Sequence, residues 1–365
     1  MIAKVLATLS AVVLAACLSF SAPHQTPTQS TGTQANPIGW WPGGRSPYGG
    51  GRVNQGPSTG TSGTSTTSLA SSEQLTGLVL INTEVDFGTA TAAGTGMVID
   101  SDGIVVTNHH VVAGSTSVTV TVPSTSQTYT ADVLGYDATT DVAVLKLQGA
   151  SALTTITADS APVSVGDDIT AVGNAQGRGQ LVAAPGQITA VGQNITVTED
   201  DGSQSPLTNL IQVNAALVPG DSGGAMLDTD NEVIGMNVAG STNTRSTTSY
   251  AIPITSVLQV ADKVLAGEAT DTVVLGRTAA LGVQISSRAS NVYVVGLIGD
   301  GPAEQAGITA GSVITAIDGK TVGNADSLTA ILATHKPGDQ VQITWTDRSG
   351  APHTATATLT QAPLA

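Results

Sequence analysis

The sequence predicts a mainly β chain in which a β-barrel or β-sandwich domain is followed by a smaller α+β domain. Three observations carry this. Strand-like, β-branched runs of four to seven residues, punctuated by Gly, Asp and Asn, recur from about residue 75 to 267. Hydrophobic residues make up 40% of the chain but aromatics only 3%, so the cores are built from Val, Ile, Leu and Ala. Beyond about residue 275 the pattern changes, and strand-like runs alternate with two short helical stretches. A chain of 365 residues is long enough for two such domains.

Taken in order, the first element is a leader. Lys4 is followed by the apolar run VLATLSAVVLAAC, which is short for a membrane span and fits a signal-peptide core over residues 1–16. Leu14-Ala15-Ala16-Cys17 resembles the bacterial lipobox, in which the cysteine becomes the lipidated first residue of the mature protein. That resemblance implies a membrane tether through Cys17; an ordinary cleaved signal is the plainer alternative. Cys17 is the only cysteine, so no intramolecular disulfide and no cysteine-based zinc site is expected. Residues 17–74 are rich in Pro, Gly, Ser, Thr, Gln and Asn and read as a flexible tether, interrupted by Trp40-Trp41 and Tyr48.

The first domain is expected over 75–267. Its strand-like runs are GMVID, IVVTN, SVTVTV, DVAVLKL, DITAVG, QITAV, LIQVN and VIGMNV. A helix closes it in ITSVLQVADKVLAG, where Val257, Leu258, Ala261, Val264 and Leu265 fall at helical spacing before the stop at Gly267. The second domain is expected over 275–361. It has the strands GVQIS and NVYVVGLI, a short helix in GPAEQAGI, the strand SVITAIDG, a helix in DSLTAILATH and a hairpin around DRSG.

Within the first domain three segments bring together the residue types of acyl-transfer chemistry. TNHHVV supplies His109 and His110, DATTDVAVLKL supplies Asp137 and Asp141, and VPGDSGGAML supplies Ser222. A serine hydroxyl is a weak nucleophile until an imidazole takes its proton, and the imidazole needs a carboxylate to fix its tautomer. Gly220 keeps side-chain bulk away from an approaching carbonyl. The N–H groups of Gly220 and Ser222 can then form an oxyanion hole, each donor contributing on the order of a few kcal/mol in the transition state. Gly223 and Gly224 allow close packing behind the nucleophile. The paired histidines are not expected to bind metal, since no HExxH or cysteine-rich partner motif is present.

TNHHVV, TTDVAVLK and PGDSGGAM, with GTGMVID before them and VIGMNV after, resemble in order and spacing the trypsin-like serine proteases of the HtrA/DegP type, above all their exported actinobacterial members. The resemblance covers about residues 75–360. It implies a two-barrel chymotrypsin/trypsin-like domain and selects His110 as base, Asp141 as the acid that orients it, and Ser222 as nucleophile. It also places Ala216 and Leu217 in the primary specificity pocket. With no charge at its base, that pocket should take small or medium aliphatic residues.

LGVQIS and GDGPAEQAGITAGSVITAIDGKTV resemble the PDZ domains that follow such proteases. The resemblance implies that the Leu281-Gly282-Val283 loop binds a peptide C-terminal carboxylate, beside a helix carrying Leu328, Ile331 and Leu332. The implied activity is hydrolysis of unfolded or damaged exported proteins without a cofactor. A chaperone-like binding module with a resting protease site is the alternative. The family's homo-trimers are a further implication, for which the N-terminal region shows no clear motif. Twenty-seven acidic against 12 basic side chains, a net −15, exclude nucleic acid as a natural partner. Asp221 departs from the Asn common in such proteases. If buried it requires a partner, for which the loop-borne Arg178 is favoured over Arg245.

Overall fold

The computed structural model describes residues 38–39, 67–85, 90–198, 204–242, 247–286 and 291–364. The leader, Cys17, Trp40-Trp41, Tyr48, nearly all of the expected tether and Arg245 lie outside the described residues. Contacts gather the chain into two compact units, within Pro37–Arg277 and within Thr278–Pro363.

The first unit holds two closed six-stranded antiparallel barrels. In the N-terminal barrel the strands are β1 (Leu78–Val85), β2 (Ala90–Asp100), β3 (Ile104–Thr107), β4 (Ser115–Val122), β5 (Gln127–Asp137) and β6 (Val142–Leu147), and pairing of β5 with β6 closes the ring. The C-terminal barrel is β7 (Asp168–Gly173), β8 (Val182–Thr198), β9 (Gln204–Val213), β10 (Ala225–Leu227), β11 (Val233–Thr242) and β12 (Thr247–Pro253), closed where β7 pairs with both β8 and β10. The mainly β, two-barrel expectation therefore holds.

Strands β3 and β6 are largely apolar because nearly all of their side chains, on both faces, are buried. Successive side chains on a strand point to opposite faces. Val79 and Ile81 of β1, Val105 of β3, and Ala143 and Leu145 of β6 fill the N-terminal barrel. Their neighbours Leu78, Leu80, Val106, Val142 and Val144 join a second cluster with Val172, Ala225 and Met236 of the other barrel. Each fully buried Val, Leu or Ile contributes about 1.5–3 kcal/mol, so this seam holds the barrels together without large aromatics.

A four-residue helix, α1 (His109–Val112), follows β3, and α2 (Ile254–Leu265) follows β12. On α2 the residues Ile254, Val257, Val260, Ala261 and Val264 are buried. Leu265, expected on that face, is 48% exposed instead, because the buried stripe turns through Val260. After α2 the short strand β13 (Val273–Leu275) pairs with β5.

The second unit has a six-stranded sheet whose main path runs β14 (Val283–Ile285), β15 (Val292–Leu297), β16 (Val313–Ile317), β17 (Gln340–Thr346) and β18 (Pro352–Thr358), with the two-residue strand Lys320–Thr321 pairing off it with β16. Helices α3 (Pro302–Gln305) and α4 (Ala325–Leu332) complete it. Asn324 starts α4 through a reciprocal capping box with Ser327. Leu281, Val294, Ile314, Leu328, Ile331, Ile343 and Trp345 make its core.

Candidate active site

The residues singled out in the three segments lie on a short helix, a strand end and loops near the seam between the barrels. His110 sits in α1, directly after β3. Its ring Nδ1 lies 2.8 Å from Asp141 Oδ2, and its backbone N–H donates to Asp141 Oδ1 at 2.9 Å. One carboxylate thus grips the imidazole at ring and backbone, which fixes ring orientation and leaves Nε2 as the nitrogen for proton transfer. Asp141 is buried and occupies the left-handed region at φ 55°, a conformation Asp tolerates better than most residues. Its carbonyl accepts from Asn108 Nδ2 at 3.0 Å. His109 lies elsewhere: its ring stacks on Tyr136 with centroids 4.6 Å apart. Asp137 caps its own turn, accepting from Thr139 and Thr140.

Ser222 follows the tight turn Val218–Asp221, closed by the Asp221 N–H donating to the Val218 carbonyl at 3.1 Å. Three carbonyls of this loop are tied down. Pro219 O accepts from Gln176 N–H at 2.6 Å, Gly220 O from Thr95 Oγ1 at 2.8 Å, and Ser222 O from Thr95 N–H at 2.9 Å. In a trans peptide the C=O and N–H point in opposite directions. Anchoring Pro219 O on Gln176 therefore turns the Gly220 N–H to the other side. Neither the Gly220 nor the Ser222 N–H has an acceptor among the described residues. Two free amides one residue apart from each other, beside a hydroxyl, can receive a developing oxyanion.

Glycine is required at two of these positions. Gly220 has φ +95°, and a Cβ there would collide with the Asn174 carbonyl oxygen. Gly223 has φ +79°, and a Cβ would collide with the Thr95 carbonyl oxygen and the Thr107 hydroxyl. The Ser222 hydroxyl lies 3.4 Å from the Val238 carbonyl oxygen.

Thr95 was not legible as a site residue, although it lies inside GTGMVID. Fully buried, it also accepts from Asn174 N–H on Oγ1 at 2.9 Å and from Thr107 Oγ1 on its carbonyl at 2.7 Å. It is the point at which the N-terminal barrel grips the serine loop.

The expected ion pair of Asp221 is not formed with Arg178. Arg178 is exposed, and its guanidinium donates to Gln176 Oε1 within its own loop. Asp221 is 5% exposed; its Oδ2 accepts from Val218 N–H at 2.8 Å, and its Oδ1 has no partner among the described residues. Burial, only partly offset by the Val218 hydrogen bond, pushes its carboxyl up to about 7. Among the described residues no cation pairs with Asp221, and a buried acid so placed is tolerated by holding its proton.

Of the expected specificity residues, Leu217 is buried in the C-terminal barrel cluster and Ala216 is half-buried. The buried Ser249 hydroxyl donates to Ala215 O at 2.7 Å and lies 3.4 Å from Leu217 N–H, pinning this segment from below. In the second unit, Gly282 has φ +76° and Leu281 is buried. Val283 opens β14, which among the described residues pairs only with β15 and forms an edge of the sheet. Leu328 and Ile331 of α4 point into the core, while Leu332 stays half-buried.

Two barrels with a His–Asp pair and a GDSGG loop at their seam define the trypsin-like class of serine peptidases. Residues 94–236 match the trypsin-like peptidase domain and residues 279–359 the PDZ domain. The chain is 30% identical over 303 residues to serine protease PepD of Mycobacterium tuberculosis, covering 76% of this chain and 63% of that protein. It is 32% identical over 279 residues to serine protease Do-like HtrA of Lactococcus lactis, covering 71% and 68%. With a probable periplasmic serine endoprotease DegP-like of Brucella suis it shares 34% over 266 residues, covering 69% and 50%. The chain thus spans about half to two thirds of the length of these relatives. Among solved structures, HtrA-type protease AlgW with tripeptide aligns at TM-score 0.47 and 26% identity, over 80% of this chain and 95% of that one. The chain belongs to the HtrA family of trypsin-like serine proteases with a PDZ domain.

Proposed function

We propose that this chain is an exported serine endopeptidase acting on unfolded polypeptides, with Ser222 as nucleophile, His110 as general base and acid, and Asp141 as its orienting acid. Ser222 Oγ attacks the scissile carbonyl while its proton passes to His110 Nε2. The new oxyanion is received by the N–H groups of Gly220 and Ser222. His110 then protonates the leaving amine, and a water repeats the sequence to release the acyl group. No cofactor enters any step. The observation that carries the reading is the pairing of a doubly gripped imidazole with two acceptor-free amides flanking Asp221.

The half-buried Ala216 and the absence of a charged side chain in Ala215–Val218 support small or medium aliphatic residues before the cleaved bond. The free edge of β14, beginning at Leu281-Gly282-Val283, supports capture of a peptide C-terminus as an added strand. Extracytoplasmic placement is supported by the leader pattern and by relatives named periplasmic, and a membrane tether by the lipobox-like site at Cys17. A homo-trimer follows from family likeness alone.

One observation favours a second reading, a polypeptide-binding module with a resting site: the Ser222 hydroxyl lies against the Val238 carbonyl. A fluorophosphonate probe separates the two. Labelling of the wild type, lost in Ser222→Ala together with casein hydrolysis, is the expected result. Turnover surviving Ser222→Ala refutes the mechanism, and an unlabelled, inactive wild type supports the resting module.

A further inference from the structure

The turn that presents Asp141 hangs on a second buried carboxylate. Asp137, the last residue of β5, is 4% exposed and accepts four hydrogen bonds. Its Oδ1 accepts from Thr139 N–H at 2.9 Å, Thr139 Oγ1 at 2.6 Å and Thr140 N–H at 3.2 Å. Its Oδ2 accepts from Thr272 Oγ1 at 2.8 Å. Burial by itself would raise this carboxyl, but the bonds from Thr139, Thr272 and Thr140 outweigh it and hold it below the usual carboxylate range. Asp137 is therefore charged and fixed.

Thr272 is not part of either barrel. It lies in the segment that leaves α2, and that segment is fastened to the end of β5. Val273 pairs with Asp137, Val274 with Tyr136 and Leu275 with Gly135. Gly276 N–H donates to Leu134 O at 2.7 Å, and the Arg277 guanidinium donates to the backbone and hydroxyl of Ser115. The same end of β5 meets the histidine side of the site through the Tyr136–His109 stack.

We propose that Asp137 is a positioning residue for Asp141, and that the Thr272 hydroxyl makes the segment 270–277 part of the support of the His110–Asp141 pair. Asp141 sits at a left-handed φ directly after a short turn, and such a conformation persists only where its surroundings impose it. The Thr140 hydroxyl has no partner among the described residues, so the side chain next to Asp141 adds no bond of its own there. On the N-terminal side of Asp141 the turn is held by the Asp137 carboxylate, bonded to two of its backbone amides, while Asn108 holds the Asp141 carbonyl from the other side. Removing the Thr272 hydroxyl leaves Oδ2 buried without a donor, which a charged carboxylate relieves by rotating or by admitting water. Rotation moves the donors on Oδ1 and with them Asp141. The 2.8 Å contact to His110 Nδ1 then lengthens, and the imidazolium formed during catalysis loses stabilisation.

This rests on the triad reading above, and its test separates the two. In the full chain, wild type, Thr272→Val, Thr272→Ser and Asp137→Asn are compared on an unstructured peptide. The readouts are kcat, KM, the acid limb of kcat/KM against pH, and the far-downfield NMR signal of the His110 Nδ1 proton. Thr272→Val should lower kcat about three- to tenfold, the worth of one hydrogen bond, with KM unchanged. It should also move the acid limb to lower pH and weaken the Nδ1 signal. Thr272→Ser should restore all three, and Asp137→Asn should exceed Thr272→Val in the same direction. Wild-type kcat, acid limb and Nδ1 signal in Thr272→Val overturn the proposal, whatever happens to its melting temperature. If Asp137→Asn does not fold, the Val and Ser pair still decides. If the wild type itself is inactive and unlabelled, the triad reading fails, and the Nδ1 signal alone still reports on the support.

Discussion

Thr95 offers three polar atoms to the serine loop and its surroundings, and all three are used. Thr95→Val keeps the shape and removes the hydroxyl, leaving Gly220 O without its donor and Asn174 N–H without its acceptor. On the proposed mechanism the Pro219–Gly220–Asp221 backbone then loosens, so kcat should fall about ten- to a hundredfold while KM changes little. The fold should lose about 1–3 kcal/mol. Steady-state kinetics and urea unfolding measure both, and an unchanged kcat would show the oxyanion loop to be held without Thr95. Asp221 makes a separate prediction through pH. Its folded value of about 7 lies above the ordinary 3.8. Between these values the unfolded chain releases the proton that the folded chain keeps, so stability falls as pH rises from about 4 to 7 and then levels. Asp221→Asn should remove this slope, stabilising the first unit at pH 8 by on the order of a few kcal/mol and changing little at pH 4. Thermal unfolding at the two values checks it; equal shifts at both would mean the carboxyl is ionised throughout. The sequence raised the question of Asp221 but pointed to Arg178, because glycine spacing shows that a loop can bend and not where its side chains end.

At the scale of elements, legibility followed burial. Strands buried on both faces, such as Val142–Leu147 and Ile104–Thr107, stood out as continuous apolar runs. Gln127–Asp137 and Thr247–Pro253 did not. Their polar, threonine-containing stretches owe their strand state to ladder bonds with β4, β6, β9 and β11 rather than to an apolar pattern of their own. The three-residue β13 was invisible for the same reason: nothing local makes it a strand except its pairing with β5. Site residues with a motif were readable, whereas Thr95 and Thr272 act through single hydroxyls that any exposed threonine also carries. The edge of β14 supports a prediction of its own. A peptide ending in a free carboxylate should bind the second unit at least about tenfold more tightly than its C-terminal amide, since charge-assisted bonds to backbone N–H are lost in the amide. Gly282→Val, forcing a β-branched residue to φ +76°, should weaken the free acid. Fluorescence anisotropy with a labelled peptide reads both, and equal affinity for acid and amide would move the binding site away from Leu281-Gly282-Val283.

For the whole molecule the controlling quantity is charge. The chain carries 27 acidic and 12 basic side chains, a formal −15, with a sequence pI near 4.4. Such a field acts on encounter, where a negative surface attracts cationic segments and repels anionic ones over about a Debye length, roughly 10 Å at 0.1 M salt. Two unstructured peptides with the same aliphatic cleavage site but lysine-rich or glutamate-rich flanks therefore differ in kcat/KM, with kcat alike. At low ionic strength the lysine-rich peptide should be favoured about ten- to a hundredfold, and the preference should collapse toward unity by about 0.5 M salt. A preference that survives high salt would place a specific contact for lysine within the cleft. A preference for the glutamate-rich peptide at low salt would mean that the net field does not govern encounter at the site.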